Sequence, residues 1–287
     1  MTKKNIVKFK VNEEKCIGCG KCTLVCSGAI LNLNDNKVPQ IDDITEFGWG
    51  GCWKCQHCLA VCPTGAISIM GKNPEDSLLP PNEYQPGKMM ESLIRNRRAC
   101  RRYLDKNVDK KIIHDIIDIA QNAPTGSNKQ HVEYTVFDDK EETKYFRDLA
   151  YNEMERQAAL GIYPRTFERK YYDQMKGWEQ SVRPDMLLCS APHLAIPHAP
   201  EGKGCWVQDV NIASSYFELL CAARGLGAIM MTFPLNVLDT MPKIKGLLKI
   251  PDNHYFGMIV GFGYPEIRYA RGVQKEINTK INIIKNL

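Results

Sequence analysis

Four cysteines stand at Cys16, Cys19, Cys22 and Cys26, and four more at Cys52, Cys55, Cys58 and Cys62. A structural zinc site draws on two Cys-x-x-Cys pairs separated by a longer loop. Here three cysteines follow one another at Cys-x-x-Cys-x-x-Cys, a tight loop that can wrap three corners of an iron-sulfur cubane, with a fourth after three more residues. Eight of the twelve cysteines lie before residue 63, which suits reduced thiols on a metal in a cytoplasm better than a secreted disulfide framework.

The two runs form an internal repeat that continues past the cysteines, CSGAI (26–30) answering CPTGAI (62–67). Neither copy has enough apolar residues for a core of its own, so the metal is expected to hold the unit together. The spacing resembles that of the bacterial two-cluster ferredoxins, in which the fourth cysteine of each run binds the other cluster. That resemblance implies two 4Fe-4S clusters, one on Cys16, Cys19, Cys22 and Cys62, the other on Cys52, Cys55, Cys58 and Cys26. The first run departs from the pattern at Ser27, where the second has Pro63. The change frees a backbone N–H, and that donor or the hydroxyl could reach a cluster sulfur; a neutral surface substitution is the alternative.

A second concentration of chemistry is RNRRACRRY (95–103), with five arginines in eight residues. Such a stretch could be a solvated helix face, a nucleic-acid patch or a phosphate grip made of parallel guanidinium hydrogen bonds, and composition alone does not separate these. The order of RRACRRY (97–103), APTGSNKQHVEY (123–134), SAPHLAIP (190–197), AARGLGAIMM (222–231) and IPDNHYFGMIVGFGYPEIRYAR (250–271) resembles the FMN-dependent nitroreductase family over most of the chain after Met89. The resemblance implies that Arg97 and Arg101 hold the FMN phosphate and ribityl side and that Arg98 adds backbone contacts. Ala99 stands where the family has serine. Pro124, Thr125, Gly126 and Asn128 would reach the isoalloxazine ring from the partner subunit of a homodimer. Gly225, Leu226 and Gly227 would run along the ring face, and Arg268 or, preferably, Arg271 would close the phosphate site. No side-chain acid or base is implied; the flavin carries the chemistry.

These residues need positioning elements. Residues 1–72 form the cysteine-bearing, ferredoxin-like domain. A Pro-rich linker follows at 73–88, where Pro74, Pro80, Pro81 and Pro86 interrupt any helix. Residues 89–287 alternate helices and strands. Asp109 caps a helix with Ile112, Ile113, Ile116, Ile117 and Ala120 at helical spacing, and 133–139, 193–196 and 255–261 read as strands. One or two helices fit 142–179, and a long one fits 207–224, ended by Gly225. The fold class is α+β; the resemblance implies a central, mostly antiparallel sheet flanked by helices. The tail after Val273 is short of core pattern and is expected to wrap the partner subunit.

Several residues carry weaker expectations. GMIVGFGYPE (257–266) contains a Gly-x-Gly, but Tyr-Pro follows it instead of a helix, which argues against a dinucleotide loop. Cys189 and Cys221 read as core thiols, and the arginines around Cys100 would lower its pKa. Packing is the default for His193 and His198, with a proton donor as the alternative. Tyr163, Phe167, Tyr171, Tyr172 and Trp178 fall where the family places a lid over the flavin.

The expected activity is that of an oxidoreductase. It would take single electrons from an external ferredoxin or NAD(P)H-linked reductase through its clusters, and FMN would reduce a small aromatic acceptor, a nitro compound or quinone, by hydride transfer. Ene reduction, reductive dehalogenation and service as an electron-transfer subunit are the alternatives. A formal charge of +5 is offset by anionic cofactors, and no helix-turn-helix pattern accompanies the arginines, so no nucleic-acid partner is expected. With no long apolar run and no apolar middle to the N-terminus, neither a membrane nor export is expected, and a cytoplasmic location follows.

Overall fold

A computed structural model describes residues 7–41, 51–77, 79, 86–126, 129–164, 175, 185–275 and 279–285. The chain divides into two compact units, residues 1–85 with 269–287, and residues 86–268.

In the first unit β1 (Lys10–Val11) pairs antiparallel with β4 (Ile67–Ser68), and β2 (Leu31–Leu33) with β3 (Pro39–Ile41). Each cysteine run feeds one short helix, α1 (Lys21–Leu24) or α2 (His57–Val61), with the run's third cysteine inside it. The two runs share one backbone. Gly18 and Gly20 have φ of 64° and 69°, and Lys54 and Gln56, at the equivalent places, have 53° and 56°. A left-handed conformation costs a non-glycine residue about 1–2 kcal/mol, so the second copy keeps the winding at a cost that the first avoids with glycine. Leu59, Val61, Ile67, Ile69 and Val7 are buried.

The boundary differs from the sequence expectation. Within the Pro-rich stretch Pro74–Asp76 form a 3₁₀ turn, with Pro74 buried. Pro86 opens a helix, α3 (Pro86–Asn96), because proline at the first helical position gives up an N–H that has no partner there anyway. The tail also differs: from Tyr269 onward it belongs to the cysteine-bearing unit, with Gln56 and Gln274 hydrogen-bonded to each other and Gln274 Nε2 donating to Ser77 Oγ at 3.1 Å.

The second unit is built on an antiparallel sheet in the order β5 (Glu133–Phe137), β6 (His193–Pro200), β9 (Ile259–Gly263), β7 (Gly227–Met231), with β8 (His254–Tyr255) also on β6. Strand alternation sends Leu194 and Ile196 to one face and Ala195 to the other. On the first face they meet Phe146, Ala150 and Met154 of α5 (Lys140–Ala159), with Val237 and Leu238 of α7 (Phe233–Leu238) and the short α8 (Pro242–Gly246) nearby. On the second, Ala195, Val260 and Phe262 meet Ile113 and Ile116 of α4 (Lys110–Ala120) and Phe217 and Cys221 of α6 (Trp206–Ala223). Asp109 caps α4 through Lys111 N at 2.8 Å, and Gly225, φ 71°, follows the end of α6.

The strand read at 255–261 is in fact two. β6 pairs Ala199 with Tyr255 but Ala195 with Val260, so the partner strand carries one extra residue and bends there, as a bulge does. β7 is a strand that the sequence reading did not include, its five residues being too short and too uniformly apolar to show an alternation.

Candidate functional site

Two regions bring the singled-out residues together, one in each unit. In the first unit a cavity is lined by Cys16, Cys19, Cys22 and Cys62. Burial pushes the Cys22 thiol up to about 11, and the neighbouring Cys19 and Cys62 thiols add to the rise. Cys58 is pushed well up, first by burial and then by Cys55, Cys26 and Cys52; burial also raises Cys52, with Cys55 and Cys26 contributing. The fourth cysteine of each run therefore stands among the thiols of the other.

Buried thiols crowded in this way hold their protons until a cation takes their place, and four sulfurs around one cavity fit an iron-sulfur cluster. Donors already point at two of the sulfurs. Lys54 N donates to Cys52 Sγ at 3.4 Å and Ala66 N to Cys62 Sγ at 3.2 Å. Ser27 Oγ is buried and makes no hydrogen bond among the described residues. A Cβ on the adjacent Gly28 would collide with the carbonyl of Gly51, so the two runs touch backbone to backbone there.

Arg271, preferred from the sequence for a phosphate, is placed instead in this unit. Its backbone N–H donates to Ala60 O at 2.8 Å, and its guanidinium donates to Cys62 O and, at 3.4 Å, to Pro63 O. The guanidinium also lies 3.0 Å from where a Cβ on Gly65 would sit, and Gly65 has a φ of 66°. A cation closing the turn behind Cys62 is the structural role. Nothing in Arg268 to Arg271 marks, in the sequence, the point where the chain passes from one unit to the other.

In the second unit the arginine segment lies beside β7. Cys100 N donates to Ala228 O at 2.9 Å, Ala99 bridges Ala228, and Leu104 N donates to Tyr264 O at 2.9 Å. A Cβ on Gly227 would come within 2.6 Å of Cys100 Cβ, so the glycine permits this approach, while one on Gly225 would meet open space. Arg97, Arg98, Ala99 and Arg101 are thus brought together with Gly225, Leu226 and Gly227. This is a basic segment beside an open glycine turn, which fits an anionic cofactor with a flat ring.

Arg97 Nη1 donates to Glu218 Oε1 at 2.7 Å, the two side chains being 30% and 6% exposed. Arg98 Nη1 donates to the carbonyls of Arg95 and Arg97, both at 2.6 Å, and Arg101 Nη1 to Ala99 O at 3.4 Å. Arg268 is exposed. Cys100 departs from expectation: burial pushes its thiol up to about 11, outweighing the Arg101 charge, and Sγ donates to Arg102 O at 3.1 Å. Burial likewise pushes Cys189 up to about 12.

Pro124, Thr125 and Gly126 lie on the connector after α4. Gly126 N donates to both carboxylate oxygens of Asp209, at 2.9 and 3.1 Å, and Thr125 Oγ1 accepts from Gln130 N at 2.9 Å. A Cβ on Gly126 would be 2.7 Å from Cys205 N. Asn128, Phe167, Tyr171, Tyr172 and Trp178 lie outside the described residues; Tyr163 is half-buried. The sequence reading missed the two acids of α6. Asp209 and Glu218 are buried, and their signal was a pair of carboxylates in a helix otherwise rich in apolar residues.

The acids also measure the site. Asp209 holds the Thr125–Gly126 connector and Glu218 holds Arg97, nine residues further along α6, about 13 Å at the helical rise per residue. Within one chain the two groups of residues sit toward opposite ends of one helix.

Residues 94–264 match the model of the Nitroreductase family, and residues 15–66 match that of the 4Fe-4S dicluster domain. A protein of Methanothermobacter thermautotrophicus with the provisional name NADH dehydrogenase/NAD(P)H nitroreductase is 25% identical over 174 residues, 60% of this chain and 75% of that one. An iodotyrosine deiodinase of Thermotoga neapolitana is 22% identical over 201 residues, 68% of this chain and 98% of its own. The crystal structure of a nitroreductase with bound FMN from Bacteroides fragilis superposes with a TM-score of 0.54 at 17% identity, covering 68% of this chain and 98% of that one, a likeness of fold. Among the described residues no helix is long and apolar enough to cross a membrane.

Proposed function

Because the chain belongs to the nitroreductase family of oxidoreductases and carries a 4Fe-4S dicluster domain ahead of the matched residues, we propose that it reduces a small aromatic acceptor on FMN with electrons received through its own two clusters. The observation that carries the reading is the grouping of the cysteines, in which Cys62 stands with Cys19 and Cys22, and Cys26 with Cys52 and Cys58, in one chain with the flavin-enzyme fold. When bound, the clusters supply single-electron conduction and FMN supplies the conversion of single electrons into a hydride equivalent.

The chain's own residues bind and orient. Cys16, Cys19, Cys22 and Cys62 hold one cluster and Cys26, Cys52, Cys55 and Cys58 the other. Arg97, Arg98, Arg101 and Arg268 supply positive charge for the phosphate and the reduced ring, while Ala99, Gly225, Leu226 and Gly227 give the ring a flat approach. Arg271, engaged at the Cys62 turn, is left out of this set.

Pro124, Thr125, Gly126 and Asn128 come from the partner copy in a homodimer. The separation along α6 supports this, and so do Ile281, Ile283 and Ile284 of the tail, which are 78%, 68% and 67% exposed and suit burial against a second chain. The electron donor is an external ferredoxin or NAD(P)H-linked reductase and the acceptor a nitro compound or quinone. The deiodinase relative favours reductive dehalogenation of an aromatic ring as the second reading.

The test is to assay anaerobically purified protein for iron, sulfide and FMN, then follow bleaching of the flavin by reduced ferredoxin in wild type and in Cys19→Ser. Loss of flavin reduction in the variant, with FMN still bound, is expected. Absence of FMN, or equal rates in the two proteins, overturns the reading. Turnover of nitroaromatics, quinones and halophenols by the reduced enzyme then separates the two acceptor classes.

A further inference from the structure

Outside both regions the sheet of the second unit assembles two imidazoles and a carboxylate. Glu133 of β5 is directly opposite His198 of β6, and His254 of β8 is opposite Pro200, two residues on from His198. Residues directly opposite across antiparallel strands share a face, as do residues two apart on one strand, so all three side chains project from one side of the sheet. Their nearest ligand atoms all lie within 4.8 Å of one another. Glu133 is exposed, His254 half-buried and His198 buried, so the group opens to solvent through the carboxylate.

The two imidazoles face each other closely, His198 Nδ1 lying 2.8 Å from His254 Nδ1. Two ring nitrogens at that separation cannot both present lone pairs to each other, so a proton or a metal ion must lie between them. The other nitrogen of His198, Nε2, is 3.3 Å from Thr135 Oγ1. Thr135 lies opposite Ile196, on the same face. With Nε2–H donated to that hydroxyl, the His198 lone pair is on Nδ1 and points at the group. A hydrogen bond on the far nitrogen is the usual way in which a ligating histidine has its tautomer and ring orientation fixed.

We propose that Glu133, His198 and His254 form a binding site for a divalent first-row metal ion such as zinc, oriented by Thr135 and completed by water. Metal–nitrogen bonds of about 2.0–2.1 Å place two imidazole nitrogens roughly 3.3 Å apart at a tetrahedral ion, so the pair opens by about half an ångström to admit the metal. The carboxylate supplies the third ligand and cancels part of the charge. Two nitrogens and one carboxylate suit zinc and its neighbours better than magnesium or calcium, which take oxygen ligands. Seated at the bulge between β8 and β9, the ion ties three strands together.

The test uses the full chain with both iron-sulfur clusters reconstituted, so that the thiols are occupied. Wild type, His254→Ala and Glu133→Gln are dialysed against zinc, and bound zinc is counted and examined by X-ray absorption at the zinc edge. Wild type is expected to hold one more equivalent than His254→Ala, with a nitrogen and oxygen shell at about 2.0–2.1 Å and no sulfur shell at about 2.3 Å. Glu133→Gln, at an exposed position, is expected to bind at least roughly tenfold more weakly, since loss of a ligand costs no less than loss of the outer-shell partners that orient one. Equal zinc in wild type and His254→Ala, unaltered affinity in Glu133→Gln, or a sulfur-dominated shell overturns the proposal and leaves a shared proton between the two imidazoles.

Discussion

Arg97 reaches from the end of α3 to Glu218 on α6, its guanidinium 2.7 Å from a carboxylate that is 6% exposed. On the proposed reading, in which Arg97 holds the flavin phosphate, the glutamate fixes the direction of a side chain that the phosphate would otherwise have to order on binding, and so lowers the entropic cost of binding. On that reading the acid is a positioning residue for the cofactor.

Arg97→Ala is therefore expected to weaken FMN retention strongly, and Glu218→Gln to weaken it less, because the arginine then keeps its charge but loses its aim. A double-mutant cycle on unfolding should show a coupling of about 1–3 kcal/mol, since removal of either partner strands the other in a partly dry place. Flavin fluorescence released on dilution measures the first effect and denaturant titration the second. Equal FMN affinity in Glu218→Gln and wild type would remove the positioning role.

Arg271 gives a prediction of the opposite kind. Its guanidinium donates to Cys62 O and Pro63 O, so Arg271→Ala should loosen the turn behind one cluster sulfur, at a cost of about 1.5–3 kcal/mol for charged hydrogen bonds, while the backbone bond to Ala60 and the FMN stay in place. Redox titration followed by electron paramagnetic resonance should show one cluster signal shifted or lost, with flavin content unchanged. Loss of flavin with both cluster signals intact would return Arg271 to the phosphate.

What the sequence disclosed and what it hid follow from the kind of constraint in each case. The cysteine runs were legible because ligand spacing is itself a local constraint, and the Asp109 cap because capping chemistry is local as well. Placing Arg271 depended on which unit the tail joins, which is a long-range fact. Cys100 was misjudged because neighbouring arginines are visible in sequence and burial is not. Asp209 and Glu218 looked like ordinary helix acids; only the fold shows that their helix faces the sheet and that each meets a partner 83 or 121 residues away.

Gly28 should be as sensitive as a ligand. Its missing Cβ leaves room for the Gly51 carbonyl, immediately before Cys52, so Gly28→Ala must push the second run away from Cys26 at a cost of about 1–3 kcal/mol. Iron content should fall by about half, and the surviving paramagnetic signal should match that of Cys26→Ser and of Cys55→Ser, whereas Cys62→Ser and Cys19→Ser should share the other. A signal common to Cys26→Ser and Cys19→Ser would show that each run binds its own cluster.

His193 makes the second unit sensitive to acid. Val108 N donates to its Nε2 at 3.0 Å, so Nδ1 carries the hydrogen and faces Phe137 O at 3.2 Å, an arrangement open only to the neutral ring. Burial holds its pKa below the ordinary histidine range, with the Phe137 carbonyl opposing. A base whose pKa is depressed on folding takes up protons more readily in the unfolded chain. Its contribution to stability is complete above the unfolded value of about 6.5 and is lost as the pH falls from there through the folded value. His193→Gln retains an acceptor for Val108 and a donor for Phe137 but does not titrate. Between pH 7.5 and 5.5 wild type should lose more stability to urea than the variant, and hydrogen exchange at the Val108 amide should quicken with acid in wild type alone. Parallel pH profiles for the two proteins would show that the imidazole stays neutral throughout and that acid acts elsewhere in the fold.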